Sequence, residues 1–151
     1  MDYKARPTTY AGVNFRSRLE ARWAAFFDLA GWRWEYEPVD LVGWSPDFLL
    51  FDIVGRRMWV EVKPIDIATQ GVFRDELEKA WRASETAEDD DHVIALGLGP
   101  YYIENETILG VLLRRSVEYW DIEELPIEGM TPAAGKLSWN KAGAKSQWRG
   151  R

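Results

Sequence analysis

The sequence predicts an α/β domain, a mixed β-sheet of about four to five strands flanked by helices on both faces. Three observations carry this. Residues 15–30 set Phe15, Leu19, Trp23, Phe26 and Ala30 at helical spacing. Residues 46–54 and 57–63 are two β-rich runs around Gly55-Arg56, the pattern of a hairpin. A helical stretch then separates that hairpin from the continuous apolar run 92–99, and a helix between two strands implies a parallel crossover.

Taken in order, residues 1–13 read as an extended lead-in. Asn14 is the expected N-cap of the first helix and Gly31 its C-terminal stop. WRWEYEPV (32–39) alternates Trp32, Trp34 and Tyr36 with Arg33, Glu35 and Glu37, as a half-buried strand does. If Val54 and Arg57 flank a two-residue turn, position 48 lies opposite 63, and Asp47 falls within about a residue of Lys63. After Pro64 a second helix is expected over about 72–86, with Phe73, Leu77, Ala80 and Trp81 on its apolar stripe. Residues 92–99 read as a fully buried strand. Residues 107–115 form another strand, and 117–125 a strand or an irregular edge. The Pro- and Gly-rich stretch 126–136 is expected as loop. The order is α-β-β-β-α-β-β, with one domain over 1–135 and a basic tail or short helix over 136–151.

Composition narrows the chemistry. A chain of 151 residues suits one domain and needs no covalent staple to fold. It contains no cysteine, which excludes disulfides, thiolate metal sites and a Cys nucleophile. Its one histidine, His92, follows the acidic run Glu88-Asp89-Asp90-Asp91 and reads as structural or solvated, so a His-rich zinc site is excluded. No apolar run reaches the roughly 18 residues of a membrane span, and the start lacks the apolar core of a secretory signal. The expected location is cytoplasmic, with no membrane partner. The net charge of −6 does not advertise nucleic-acid binding. Its distribution differs from the sum: residues 136–151 carry five cations and no acid, and Arg16, Arg18 and Arg22 cluster at the first helix.

Carboxylates, Lys and Arg must therefore carry any catalysis. Pro46-Asp47 opens the second strand, and Glu61-Val62-Lys63 lies on the third. The strand period puts Glu61 and Lys63 on one face and Val60 and Val62 on the other. Two carboxylates and an ammonium then meet at one end of a hairpin, which suits phosphodiester cleavage. Mg²⁺ prefers carboxylate oxygens and takes its remaining ligands from water and substrate phosphate. It acidifies a bound water and stabilises charge on phosphoryl oxygens, while Lys63 can orient the attacking water. Glu20, at the edge of the first helix's apolar stripe, extends the acidic cluster. The plain alternatives are a cross-strand charge pair for Glu61 and Lys63, a turn residue for Asp47, and an ion pair with Arg16 for Glu20.

Pro46-Asp47, thirteen intervening residues, then Glu61-Val62-Lys63, all preceded by a helix bearing Glu20, resemble the PD-(D/E)XK nuclease superfamily. Over residues 10–64 the chain is more specifically similar to small nucleases of phage and mobile-element origin. The resemblance implies a restriction-endonuclease-like core and a Mg²⁺-dependent DNA endonuclease, with Mn²⁺ able to substitute. It implies Asp47, Glu61 and the Val62 carbonyl as metal ligands, Lys63 as the catalytic lysine and Glu20 as the helix acid. Pro64 stands where the superfamily usually has glycine. The alternatives are a nuclease subunit of a transposition or recombination complex, and a catalytically silent relative that binds nucleic acid or a protein. The expected partner is DNA, with a homodimer as a candidate assembly. Arg16, Arg18, Lys141 and Lys145 are candidate phosphate contacts. Trp44, beside Asp47, is a candidate for base stacking.

Overall fold

Ser17, not Asn14, starts the first helix. The computed structural model describes residues 5–41, 43–70, 77–84, 91–115 and 120–146. In it the Ser17 hydroxyl accepts from the Glu20 N–H at 3.1 Å and donates to the Glu20 carboxylate at 3.0 Å, a reciprocal N-terminal cap. Helix α1 (Arg18–Ala30) ends at Gly31, whose φ of 79° is the left-handed C-terminal stop expected there. Asn14 is absorbed into a strand. Strands β1 (Thr8–Tyr10) and β2 (Val13–Phe15) form a hairpin, and Ala11 and Gly12 both take positive φ in its turn. The extended lead-in is thus a paired ribbon from Thr8 onward.

Strand β3 (Arg33–Tyr36) pairs antiparallel with β4 (Phe48–Phe51), and β4 with β5 (Arg57–Val62). The hairpin is as expected, but its register is not. Phe48 lies opposite Val60 and Phe51 opposite Arg57, so the turn is the five residues Asp52–Arg56. The Asp52 carboxylate organises it, accepting from the N–H groups of Val54 at 3.1 Å and Arg56 at 2.9 Å. Asp47 therefore falls beside Glu61 rather than near Lys63. A register error of odd length also exchanges the two faces of a strand, so the observed pairing is what puts Asp47 and Glu61 on one side.

The crossover from β5 carries α2 (Ile67–Gln70) and α3 (Glu78–Ala83) to β6 (Asp91–Leu96), which runs parallel to β5. Leu77, Ala80 and Trp81 are buried as the second-helix stripe requires; Phe73 and most of the acidic run lie outside the described residues. Strand β7 (Tyr101–Ile103), too short to be expected from pattern, turns through Glu104-Asn105 into β8 (Glu106–Arg115). Strand β8 pairs with β6 and β7 and with β9 (Trp120–Pro126). Among the described residues the main sheet is mixed and seven-stranded, larger than the four to five expected. A Cβ on Gly110 would lie 2.3 Å from the Ala95 carbonyl oxygen, so only glycine fits at the β8 irregularity that brings the backbones together there.

Two apolar layers flank the sheet. On one face Phe48, Leu50, Met58, Val60, Ile94 and Leu96 pack against Trp23, Phe26 and Phe27 of α1. On the other, Val93, Ala95, Val111 and Leu113 pack against Trp44, Ile67, Leu77 and Ala80. Among the described residues no helix is long and apolar enough to cross a membrane.

The region after residue 126 corrects a further expectation. Thr131 caps helix α4 (Pro132–Lys145), with proline in its first turn. The helix takes in part of the expected loop, and the 135/136 boundary falls inside it. Trp139 packs on Trp23 at 4.6 Å between ring centroids. Arg22 lies 4.1 Å over the Trp139 ring and donates to the Trp139 carbonyl at 2.9 Å. At least to Lys145, the basic segment is docked on α1. Trp148, Arg149 and Arg151 lie outside the described residues. Trp139→Ala is expected to lower unfolding free energy by roughly 2–3 kcal/mol, because it removes both the aromatic packing and the cation–π pair with Arg22. Urea denaturation measures it.

Candidate active site

The Asp47 N–H donates to the Val60 carbonyl at 2.8 Å, one step beyond the Phe48–Val60 pair. That step sets Asp47 beside Glu61 at the end of the β4–β5 hairpin. Asp47 is 6% exposed. One of its oxygens accepts from the Val62 N–H at 2.7 Å, and the other meets the Arg16 guanidinium. Burial, with Glu61 nearby, pushes the Asp47 carboxyl up to about 7, against the opposing pull of the Val62 N–H and Arg16.

Glu61 is held from two sides. The Trp44 indole N–H donates to one carboxylate oxygen at 2.9 Å, and the Lys63 ammonium lies 3.3 Å from the other. Lys63 shares the Glu61 face, as the strand period requires. Trp44 is 5% exposed, packed in the layer beneath α3. Its ring is therefore not available for a base to stack on, and its expected role is corrected: it orients Glu61.

Glu20 reaches the same end of the sheet from α1. It is buried, accepts the Ser17 hydroxyl and the Tyr36 hydroxyl, and pairs with Arg16 at 3.1 Å. Burial pushes the Tyr36 hydroxyl up to about 12, so it remains a donor. The expected Glu20–Arg16 ion pair exists, but it is turned inward. Arg16 spans three acids, Glu20, Asp47 and Glu37, the last at 2.9 Å from its Nε. Its own side chain is 63% exposed while those of Glu20 and Asp47 are 7% and 8% exposed. Arg16 is thus first the counter-charge of the carboxylates rather than a free phosphate contact. Arg18, Lys141 and Lys145 are exposed.

Beside Glu61 opens a cleft of about 830 Å³, lined by Trp44, Ser45, Lys63, Leu77 and Lys79 among others. Sequence reasoning missed Ser17, Tyr36 and Lys79 here. The signal for Ser17 is present: Ser17-Arg18-Leu19-Glu20 has capping-box spacing. Among the described residues no group of three or more His, Asp or Glu is placed to hold an ion. The donor set is the pair Asp47 and Glu61, and crowding of those two hard-oxygen groups helps to raise Asp47. Mg²⁺ commonly takes one or two carboxylates and completes its shell with water and substrate phosphate, so the pair fits a cation of that type. Of Val62, the N–H is engaged with Asp47. No family model, no curated protein and no solved structure matches this chain.

Proposed function

We propose that the protein is a divalent-metal-dependent DNA endonuclease with a restriction-endonuclease-like core, a reading carried by one observation. Buried Asp47 and half-buried Glu61 adjoin across a hairpin end, with Lys63 on the Glu61 face at the mouth of an open cleft. A divalent cation bound there supplies water activation and charge neutralisation at the phosphate. Asp47, Glu61 and, by its carbonyl, Val62 are the residues to hold it. The Val62 N–H and the Trp44 indole fix the two carboxylates in place. Lys63, with 37% of its side chain exposed, is within reach of a phosphate oxygen or the attacking water. Glu20 anchors Arg16 and so acts on Asp47 through it.

The docked helix supports DNA as the partner. Trp139 meets Trp23 and Phe26, and Gly143 lies against Arg22, so α4 runs antiparallel to α1. Lys141 and Lys145 therefore stand toward the α1 end that bears Arg18 and, just before it, Arg16. The two lysines lie toward the same end of the sheet as the carboxylates, on the far side of α1 from them. Reversing Lys141 and Lys145 to Glu should weaken binding to all duplexes alike and flatten the salt dependence by about 0.9 for each phosphate no longer neutralised. A homodimer would supply the second site for a double-strand cut.

Supercoiled plasmid with Mg²⁺ or Mn²⁺, against EDTA, tests the reading: metal-dependent nicking is expected, and no cleavage of plasmid, flap or branched DNA in either metal rejects it. Trp44→Phe keeps the ring and removes the bond to Glu61, so kcat should fall by up to about tenfold while DNA affinity holds.

A further inference from the structure

At the end of the sheet remote from Asp47 and Glu61, the helical layer stops short. Helix α1 ends at Ala30 and α4 begins at Pro132, and between them the sheet face lies open in a groove of about 760 Å³. Met58, Leu109, Leu112, Leu125 and Ile127 line it. One wall is the Asp52–Arg56 turn, where Ile53 is 81% and Val54 74% exposed. That exposure is built in. Asp52 bonds to the N–H groups of Val54 and Arg56 and to the Arg56 side chain at 2.6 Å, so the turn's polar groups are satisfied while two large apolar side chains face water. A paired display of this kind beside an apolar groove marks an interaction surface.

Charge selects the occupant. Glu106, Glu123, Glu124 and Glu128 line the groove. Arg114 is paired with Glu123 at 3.2 Å and Arg56 with Asp52. Among the described residues no cation forms an ion pair with Glu106 or Glu128, so the rim is acidic. A two-fold pairing of copies through this face would set those acids against their own counterparts. Docking the basic α4 surface of another copy instead would be head-to-tail and would not close. We propose that the groove receives an amphipathic helix of a different protein, its apolar stripe against Ile53, Val54 and the groove floor and its Lys or Arg flanks against Glu106 and Glu128. A helix is the element that fits, because the layer it would complete is already helical. The surface is separate from the nuclease reading and stands whether or not that reading does.

The probe is a fluorescein-labelled Leu/Lys peptide of about five turns with leucines at i, i+3, i+4 and i+7, read by anisotropy beside a scrambled peptide of equal composition. The patterned peptide should bind the full chain about tenfold more tightly than the scrambled one. Ile53→Ser with Val54→Ser should abolish that preference, and Glu106→Lys with Glu128→Lys should weaken both peptides and reduce the salt dependence of the patterned one. Circular dichroism of the variants confirms that they fold. Equal affinity for both peptides, or an undiminished preference in the Ile53/Val54 variant, overturns the proposal. A concentration-dependent dimer in sedimentation that Ile53→Ser with Val54→Ser dissolves would overturn it in favour of a second copy.

Discussion

Glu61→Gln is expected to remove metal-dependent DNA cleavage, by about a thousandfold or more, and to leave DNA binding within a few-fold of the parent. The loss follows from the several kcal/mol that a correctly held cation contributes to a phosphoryl-transfer transition state. Glutamine keeps the shape and can still accept from the Trp44 indole, which separates charge from packing. Asp47→Asn should do the same, since the two carboxylates adjoin and form one donor set. Single-turnover cleavage in Mg²⁺ and Mn²⁺ measures the effect, with anisotropy in Ca²⁺ reporting binding. Either variant cutting at the parental rate would place the chemistry elsewhere.

The same Asp47→Asn change should stabilise the protein in EDTA, and more so at pH 8 than at pH 5. The folded chain raises the Asp47 carboxyl from 3.8 to about 7, chiefly by burial and then by Glu61. Between those values the folded state binds more protons than the unfolded one, so stability falls as pH rises through the window. The penalty is absent below about pH 4 and complete above about pH 7, where it amounts to at most about 4 kcal/mol. Asparagine does not titrate, so the variant's advantage should grow by about 2–3 kcal/mol from pH 5 to pH 8. Part of it is returned because Arg16 loses a partner. Urea denaturation at four pH values checks this; an advantage that does not change with pH would mean that Asp47 is ionised throughout. Mg²⁺ should narrow the gap at pH 8, because a cation bound only to the folded parent stabilises it.

Much of this architecture is legible in residue order, and the failures have local causes. The Gly31 stop, the alternation through Trp34 and the apolar run of β6 each rest on one strong rule, and each is found in the structure. Asn14 and Ser17 both suit a helix cap; what decides between them is Glu20, three residues past Ser17, and the Ala11-Gly12 turn that places Asn14 in a strand. Strands β1, β2 and β7 have three residues each, too few to show a period. The Gly55-Arg56 turn signal is real, but the length of the turn depends on where the Asp52 side chain finds its donors, which no pattern records. Helix α4 lacks a clear apolar stripe, yet Thr131-Pro132 is a readable start. Which acids adjoin is set by that turn length through the register; that Trp44 turns inward to Glu61 depends on packing beneath α3, some 35 residues away in the chain.

Among the described residues, those that bond to the site carboxylates, from Arg16 to Lys63, come from one continuous stretch, and the two acids meet at the open end of a hairpin closed by the five-residue Asp52–Arg56 turn. In kinetic terms that hairpin is the part of the sheet that forms most readily: a pair closed by so short a turn assembles in about 1–10 μs. The parallel contact of β5 with β6 must wait for the loop entropy of the crossover. The chain thus brings two like charges together early, before α4 and the β8–β9 edge supply their burial. Folding should accelerate as acid protonates one member of the pair, and the transition state should hold β4 and β5 nearly native. Leu50→Ala is then expected to slow folding, whereas Ile127→Ala, at the late-joining edge, should mainly hasten unfolding.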